Sequence, residues 1–231
     1  MDLSNVPVRA SHDWRQIPAK PVNRLIVGLD VGQSIDPSAA SAIQHIVTPR
    51  DEWTPNPKAK FWKQESDERF LVRHLERLPL GMASPLQVQH VANMLGREPL
   101  KGADFALDYT GCGRPVADMF TRAGLRPTMV LITAGNEATR HGGNTWHVPK
   151  QKLVSGLEAR MHSGELKIAP ALAESEVLRD ELRDFARKVS ESGRVTYDAR
   201  SGAHDDLILS IAIALFVALN RTTAGQEPLL L

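Results

Sequence analysis

Asp205 and Asp206 stand directly before a run from Leu207 to Leu219 in which Ser210 is the single polar residue. That run is shorter than the roughly 20 apolar residues needed to cross a bilayer. It therefore reads as a helix buried in a globular core. Ala212, Ala214 and Ala218, spread round its circumference, let it lie close against a sheet. One of the two carboxylates then sits at the helix N-terminus, at the edge of the core. Two roles are open to it there: a cap for the free N–H groups of the first turn, or a working acid in a site.

A chain of 231 residues suits one α/β domain with one core. Apolar residues at 42% and charged residues at 24% fit a folded chain rather than a disordered one. The formal charge of +1 provides no overall basic field, so any contact with nucleic acid depends on local Lys/Arg patches. A single cysteine, Cys112, excludes an internal disulfide and a thiolate-rich zinc site, and fits a reducing compartment. Residues 1 to 20 contain no apolar segment of the signal-peptide kind, so the cytoplasm is the expected location.

Residues 1–21, with Pro7, Pro18 and Pro21 among polar residues, read as an arm or linker. A globular domain is expected over 22–221 and a tail over 222–231. Val22 to Asp30 contains Leu25-Ile26-Val27-Gly28-Leu29-Asp30, an apolar run closed by an acid, which suits a buried central strand. Ala39 to Val47 reads as a second strand, joined to the first through Asp36-Pro37, with Asp36 as a turn residue. Pro49 to Pro57 reads as loop and Phe61 to Gln64 as a third, edge-type strand. The spacing of Leu71, Leu75 and Leu78 predicts a helix over Asp67 to Leu78, and Val88, Val91 and Leu95 predict another over Leu86 to Leu95.

Asp104 to Asp108 makes a further strand ending in an acid. Arg114-Pro115 opens a helix that Gly124 ends. Pro127 to Thr133 is a strand, and Ala134 to His147, rich in Gly, Asn, Thr and His, is an exposed loop or hairpin. Lys150 to Met161 is amphipathic through Leu153, Val154 and Leu157. Leu178, Leu182, Phe185 and Val189 mark a later helix, on which Arg179, Arg183 and Arg187 each follow an acid by three residues, the pattern of a solvated, ion-paired face. Arg194 to Tyr197 reads as a last short strand.

Asp30, Asp108 and Asp206 thus occupy element ends that can converge on one face of a sheet. Carboxylates brought together repel one another unless a cation lies between them, and oxygen donors of this kind select Mg²⁺ or Mn²⁺. Two such ions about 4 Å apart would activate a water and stabilise the departing oxygen in phosphodiester hydrolysis. Taken singly, Asp30 also reads as a strand-terminal turn residue and Asp108 as a cap on the turn from Gly111 to Gly113. Spacing alone leads to a metal-dependent phosphoryl-transfer site and no further.

Four stretches carry a more specific likeness: Val27-Gly28-Leu29-Asp30, Asp108-Tyr109-Thr110-Gly111-Cys112-Gly113-Arg114-Pro115-Val116, Val148-Pro149-Lys150-Gln151-Lys152-Leu153-Val154, and His204-Asp205-Asp206-Leu207. In this order the chain resembles the nuclease domain of the large terminase subunit of tailed phages, part of the RNase H-like group that includes Holliday-junction resolvases. The likeness covers about Val22 to Asn220. It implies an α/β RNase H-like fold with a central mixed sheet of about five or six strands flanked by helices.

By this resemblance Asp30, Asp108 and Asp206 are the catalytic, metal-binding acids, with Asp205 as neighbour or alternative for the third. Two Mg²⁺ or Mn²⁺ ions are implied, with Asp30 bridging them. Arg140, His141 and Lys150 become candidate phosphate contacts on and beside the hairpin. The implied activity is an endonuclease that cuts concatemeric viral DNA during genome packaging. Its implied partners are double-stranded DNA, a terminase ATPase domain, a small subunit and the portal, in a bacterial host's cytoplasm with no membrane.

No Gly-Lys pair occurs in the sequence, so the phosphate loop of an ATPase motor is missing. The expectation is the nuclease half alone, as an excised domain or a separately encoded protein. Three alternatives stand beside it. One is another RNase H-like nuclease or resolvase. Another is an actin-like-fold phosphotransferase, since Gly28-Leu29-Asp30-Val31-Gly32-Gln33-Ser34 resembles the first phosphate-binding turn of sugar kinases. The last is a non-catalytic module that binds DNA or a packaging partner and uses its acids as caps.

Overall fold

In a computed structural model that describes residues 14–32, 36–111, 113–185 and 204–220, the apolar run ending at Asp30 is the strand on which both layers of the core rest. The elements are β1 (Arg15–Ile17), β2 (Val22–Asp30), β3 (Ala39–Asn56), β4 (Phe61–Arg77), α1 (Ser84–Leu95), β5 (Asp104–Asp108), α2 (Gly113–Arg122), β6 (Thr128–Thr133), β7 (Thr139–His141), β8 (Thr145–Pro149), α3 (Lys150–His162), β9 (Leu166–Ile168), α4 (Ser175–Phe185) and α5 (Asp206–Asn220). One mixed sheet runs β1-β4-β3-β2-β5-β6-β8-β7, with β9 also paired to β4. β3 runs antiparallel to both β2 and β4, whereas β2, β5, β6 and β8 run parallel to one another, as do β1 and β9 to β4. The six central strands are β4, β3, β2, β5, β6 and β8; the short β1, β7 and β9 lengthen the sheet or cover the outer side of β4. The mixed α/β architecture expected from the sequence is therefore present.

Alternate residues of β2 point to opposite faces. Ile26 joins a cluster with Leu153 of α3, Leu178 of α4 and most of α5, while Val27 and Leu29 join Val88 and Val91 of α1 and Phe120 of α2. Helices thus cover both faces, and the central strands read as continuous apolar runs for that reason. α5 is buried from Asp206 to Ala218. It lies against β2 at Gly28, where a Cβ would stand 3.0 Å from that of Ala214. The small residues of the run permit this approach, as its composition led us to expect. Among the described residues no helix is long and apolar enough to cross a membrane.

Two sequence expectations fail here. Asp67 to Leu78 is not a helix: Asp67 to Arg77 continues β4, and the supposed loop from Pro49 lies within β3 as far as Asn56. The apolar period misled because Arg73 is an extra residue in the ladder, Ala42 pairing with His74 but Ile43 with Val72. That bulge brings Leu75 onto the face of the buried Val72, so Leu71 and Leu75, four residues apart as on one side of a helix, belong to opposite faces of the strand. Pairing with β3 along both segments then overrides local preference.

Of the expected N-terminal arm, residues 1–13 lie outside the described residues, and Arg15–Ile17 pair with β4. The expected strand from Arg194 to Tyr197, the side chains of Phe185, Arg187 and Val189, Gln33 and Ser34, and the tail over 222–231 also lie outside them.

Candidate metal centre

β2 and β5 are parallel neighbours with Leu29 opposite Leu107, so Asp30 and Asp108 leave the sheet side by side at its C-terminal edge. The third acid reaches the same edge because α5 starts there and runs back across β2 and β3. Asp30, Asp108 and Asp206 are only 6%, 7% and 5% exposed, a burial that carboxylates tolerate only with partners. Burial pushes Asp30 well above the ordinary carboxylate range, and the charges of Asp108, Asp206 and Asp205 push it the same way. A hydrogen bond with Asp108 raises Asp30 further. Three sequence-distant aspartates therefore converge in one pocket of charge.

Asp108 is also raised by burial, against the pull of Thr110, Asp30 and Lys150. Its Oδ1 accepts the Thr110 N–H at 2.8 Å, while Thr110 Oγ1 accepts the Ile132 N–H of β6 at 2.9 Å. The chain turns there through Gly111, at φ 57°, a left-handed position that glycine occupies without strain. The glycine-rich turn read from the sequence thus folds back beneath the acid and ties it to the next strand.

Asp206 is pushed up to about 6 by burial, with Arg77 and His204 opposing. Its Oδ2 is buried and accepts no hydrogen bond. Arg77 Nη2 lies 3.6 Å from that oxygen and His204 Nδ1 3.8 Å from it. Asp36, read as a turn residue, stands 3.7 Å from His204 Nδ1. The adjacent Asp205 is engaged differently: its Oδ2 is 2.7 Å from Lys150 Nζ, at the start of α3. Lys150 is thus inside the acidic cluster, as an ion-pair partner.

Two residues at the site were not singled out from the sequence. Arg77 ends β4 in the same cross-sheet row as Asp30 and Ala39. Glu181, 6% exposed on α4, contacts Arg77 through Oε1 and accepts the Ile208 N–H through Oε2 at 3.1 Å. Burial pushes Glu181 up to about 8, opposed by Arg77 and the Ile208 N–H. A signal existed: Glu181 falls on the apolar side of its helix, at i+3 from Leu178 and beside Leu182. A first-turn N–H of α5 is thus capped by α4 and not by either aspartate, which weakens the plain-cap account of Asp206.

Arg140 and His141 lie elsewhere. The Arg140 guanidinium is 5.7 Å from the Trp146 ring centroid and lines a cleft with Asp104 and Asn220, which begin β5 and end α5. Those are the ends opposite Asp108 and Asp206. His141 stacks on His147 at 3.7 Å between ring centroids. The hairpin expected from the sequence exists as β7 and β8, but its two candidate contacts are not brought to the acids.

The donor set suits a hard divalent cation: carboxylate oxygens, among them the buried Asp206 Oδ2 that accepts no hydrogen bond, beside a pair of carboxyls whose mutual repulsion a cation would relieve. As the side chains stand, no three His, Cys, Asp or Glu among the described residues form a closed ligand set. The chemistry of the donors fits the ion.

No family model matches the chain, and no curated protein matches it by sequence. Among solved structures, the large terminase nuclease from thermophilic phage G20c with bound magnesium is similar, with a TM-score of 0.57 and 20% identity over 87% of this chain and 84% of that one. A further crystal structure of the G20c nuclease has a TM-score of 0.52 at 19% identity, covering 86% of this chain and 84% of that one. The Thermus phage P74-26 large terminase nuclease domain has a TM-score of 0.50 at 19% identity, covering 87% and 89%. At such identities the likeness is one of fold. The chain has the RNase H-like fold of the large terminase nuclease domains.

Proposed function

We propose that the chain is a divalent-metal-dependent DNA endonuclease, the nuclease unit of a phage terminase. The observation that carries this reading is the convergence of Asp30, Asp108 and Asp206, all buried, at one edge of the sheet. Asp30, Asp108 and Asp206 would hold the metal, Asp30 between the other two. Two Mg²⁺ or Mn²⁺ ions would supply positive charge to activate a water and to stabilise the departing oxygen of a phosphodiester.

The chain's own groups do the rest. Thr110 orients Asp108. Lys150, anchored on Asp205, offers a cation to a DNA phosphate at the mouth of the cluster. Arg140 and His141 would meet the duplex away from the cut. The substrate is double-stranded DNA read through its phosphates, with weak sequence preference and steep salt dependence. The partners in this reading are an ATPase motor, a small subunit and the portal, in the host cytoplasm.

Plasmid cleavage with Mn²⁺ tests the reading. The wild type is expected to cut, and Asp30→Ala, Asp108→Ala and Asp206→Ala are each expected to abolish cutting while retaining DNA binding. Undiminished cutting by any of the three removes that acid from the site. DNA binding without cutting by the wild type favours a passive module.

A further inference from the structure

The geometry points to Glu181 as a positioning residue that draws Arg77 away from the free oxygen of Asp206, leaving that oxygen to a divalent cation. The inference rests on the reading of the three aspartates as a metal site. Arg77 Nη2 contacts Glu181 Oε1, yet stands 3.6 Å from Asp206 Oδ2, beyond hydrogen-bond reach. The Asp206 side chain is 8% exposed and its Oδ2 accepts no hydrogen bond, an arrangement that is costly for a buried carboxylate unless another group takes the oxygen. A guanidinium with five donors so close would ordinarily close on it.

Glu181 prevents this because it cannot follow Arg77. Its second oxygen is fixed by the Ile208 N–H at 3.1 Å, and its helix packs beside α5. Arg77 itself is held at the end of β4, opposite Ala39. The guanidinium therefore has a committed partner on one side and, on the other, a carboxylate oxygen that neither it nor His204, at 3.8 Å, reaches with a hydrogen bond. It offsets the crowding of acids without occupying a ligand position, and a cation arriving at Asp206 leaves Arg77 still paired.

A double-mutant cycle on the full chain tests this through Mn²⁺ affinity, by titration calorimetry at pH about 8.5, independently of DNA cleavage. Glu181→Gln keeps an oxygen for the Ile208 N–H but releases Arg77 to Asp206. It is expected to weaken Mn²⁺ binding by about tenfold or more, the scale of partners outside the ligand shell. Adding Arg77→Met is expected to restore most of that loss, whereas a purely structural pair would show no rescue.

Glu181→Gln binding like the wild type, or a double variant no tighter than Glu181→Gln, overturns the inference. If Glu181→Gln does not fold, as judged by melting in chelator, Arg77→Met alone decides. It should bind at least as tightly as the wild type, and weaker binding overturns the inference. A wild type that binds no Mn²⁺ overturns the metal reading as well, which distinguishes the two failures.

Discussion

Gly28 of β2 lies so close beneath Ser210 of α5 that a Cβ at position 28 would stand 2.1 Å from the Ser210 carbonyl oxygen. The obstructing atom is main chain, so no rotamer change relieves it. Gly28→Ala is expected to lift α5 from the sheet and cost about 3 kcal/mol, the upper end of ordinary overpacking. Urea unfolding checks this: the midpoint should fall with the slope unchanged. An unaltered midpoint would mean that helix and strand are farther apart than described. The same contact gives Gly28 a packing role, which removes one support from the sugar-kinase reading of the turn that begins with it.

The acids give the metal-free chain an unusual dependence on pH. Asp30, Asp108, Asp206 and Glu181 keep their protons to higher pH when folded than ordinary carboxylates do, Asp206 to about 6 and Glu181 to about 8. Between pH about 4 and about 8 the folded state binds more protons than the unfolded one. Stability therefore falls as pH rises through that window, by at most about 1.4 kcal/mol per pH unit for each titrating group. The melting temperature in chelator is expected to be higher at pH 5 than at pH 8, and excess Mg²⁺ should narrow the gap. A melting temperature that rises from pH 5 to pH 8 in chelator contradicts this account.

Thr110→Val should separate orientation from bulk. Valine matches the shape of threonine but removes the oxygen that accepts the Ile132 N–H, leaving that donor without its partner. A loss of about 1–3 kcal/mol is expected, with cleavage reduced beyond the loss of folded protein because the turn that donates to Asp108 loses its side-chain tie to β6. Thr110→Ser should keep most of both properties. Equal cleavage by the valine and serine variants, normalised to folded protein, would dismiss the positioning role.

Much of this was legible in the sequence where chemistry and period coincide. β2 and β5 are bounded as expected, Val22–Asp30 and Asp104–Asp108, because an apolar run closed by an acid leaves little choice of register. The long buried helix and its close approach to the sheet also followed from composition. What failed depends on partners remote in sequence. β4 became a strand through its pairing with β3, and Arg77 was hidden inside the helix expected there. Glu181 is hard to read because its neighbours Asp180 and Arg183 form the solvated pair expected of them, and only its apolar-side position marks it. Lys150, expected as a phosphate contact, is found paired with Asp205 on another element.

Lys150→Met is expected to lower cleavage by about tenfold or more and to reduce the salt slope of DNA binding by about one. Two effects combine: a phosphate contact is lost, and Asp108 loses a charge that lowers its pKa. Binding isotherms at several salt concentrations, with Ca²⁺ replacing the active ion, would measure the first effect. An unchanged slope would return Lys150 to a purely internal role.

The extra residue at Arg73 decides more than the local shape of β4. Strand neighbours alternate sides, so one inserted position inverts the parity of every side chain after it. Leu75 and Arg77 consequently emerge on the α5 side, while Glu76 faces His90 of α1, at 3.0 Å. The same residues paired without that bulge would put Glu76 opposite Ala39, delivering a glutamate where the guanidinium now stands and adding a further negative charge to an already crowded acidic edge.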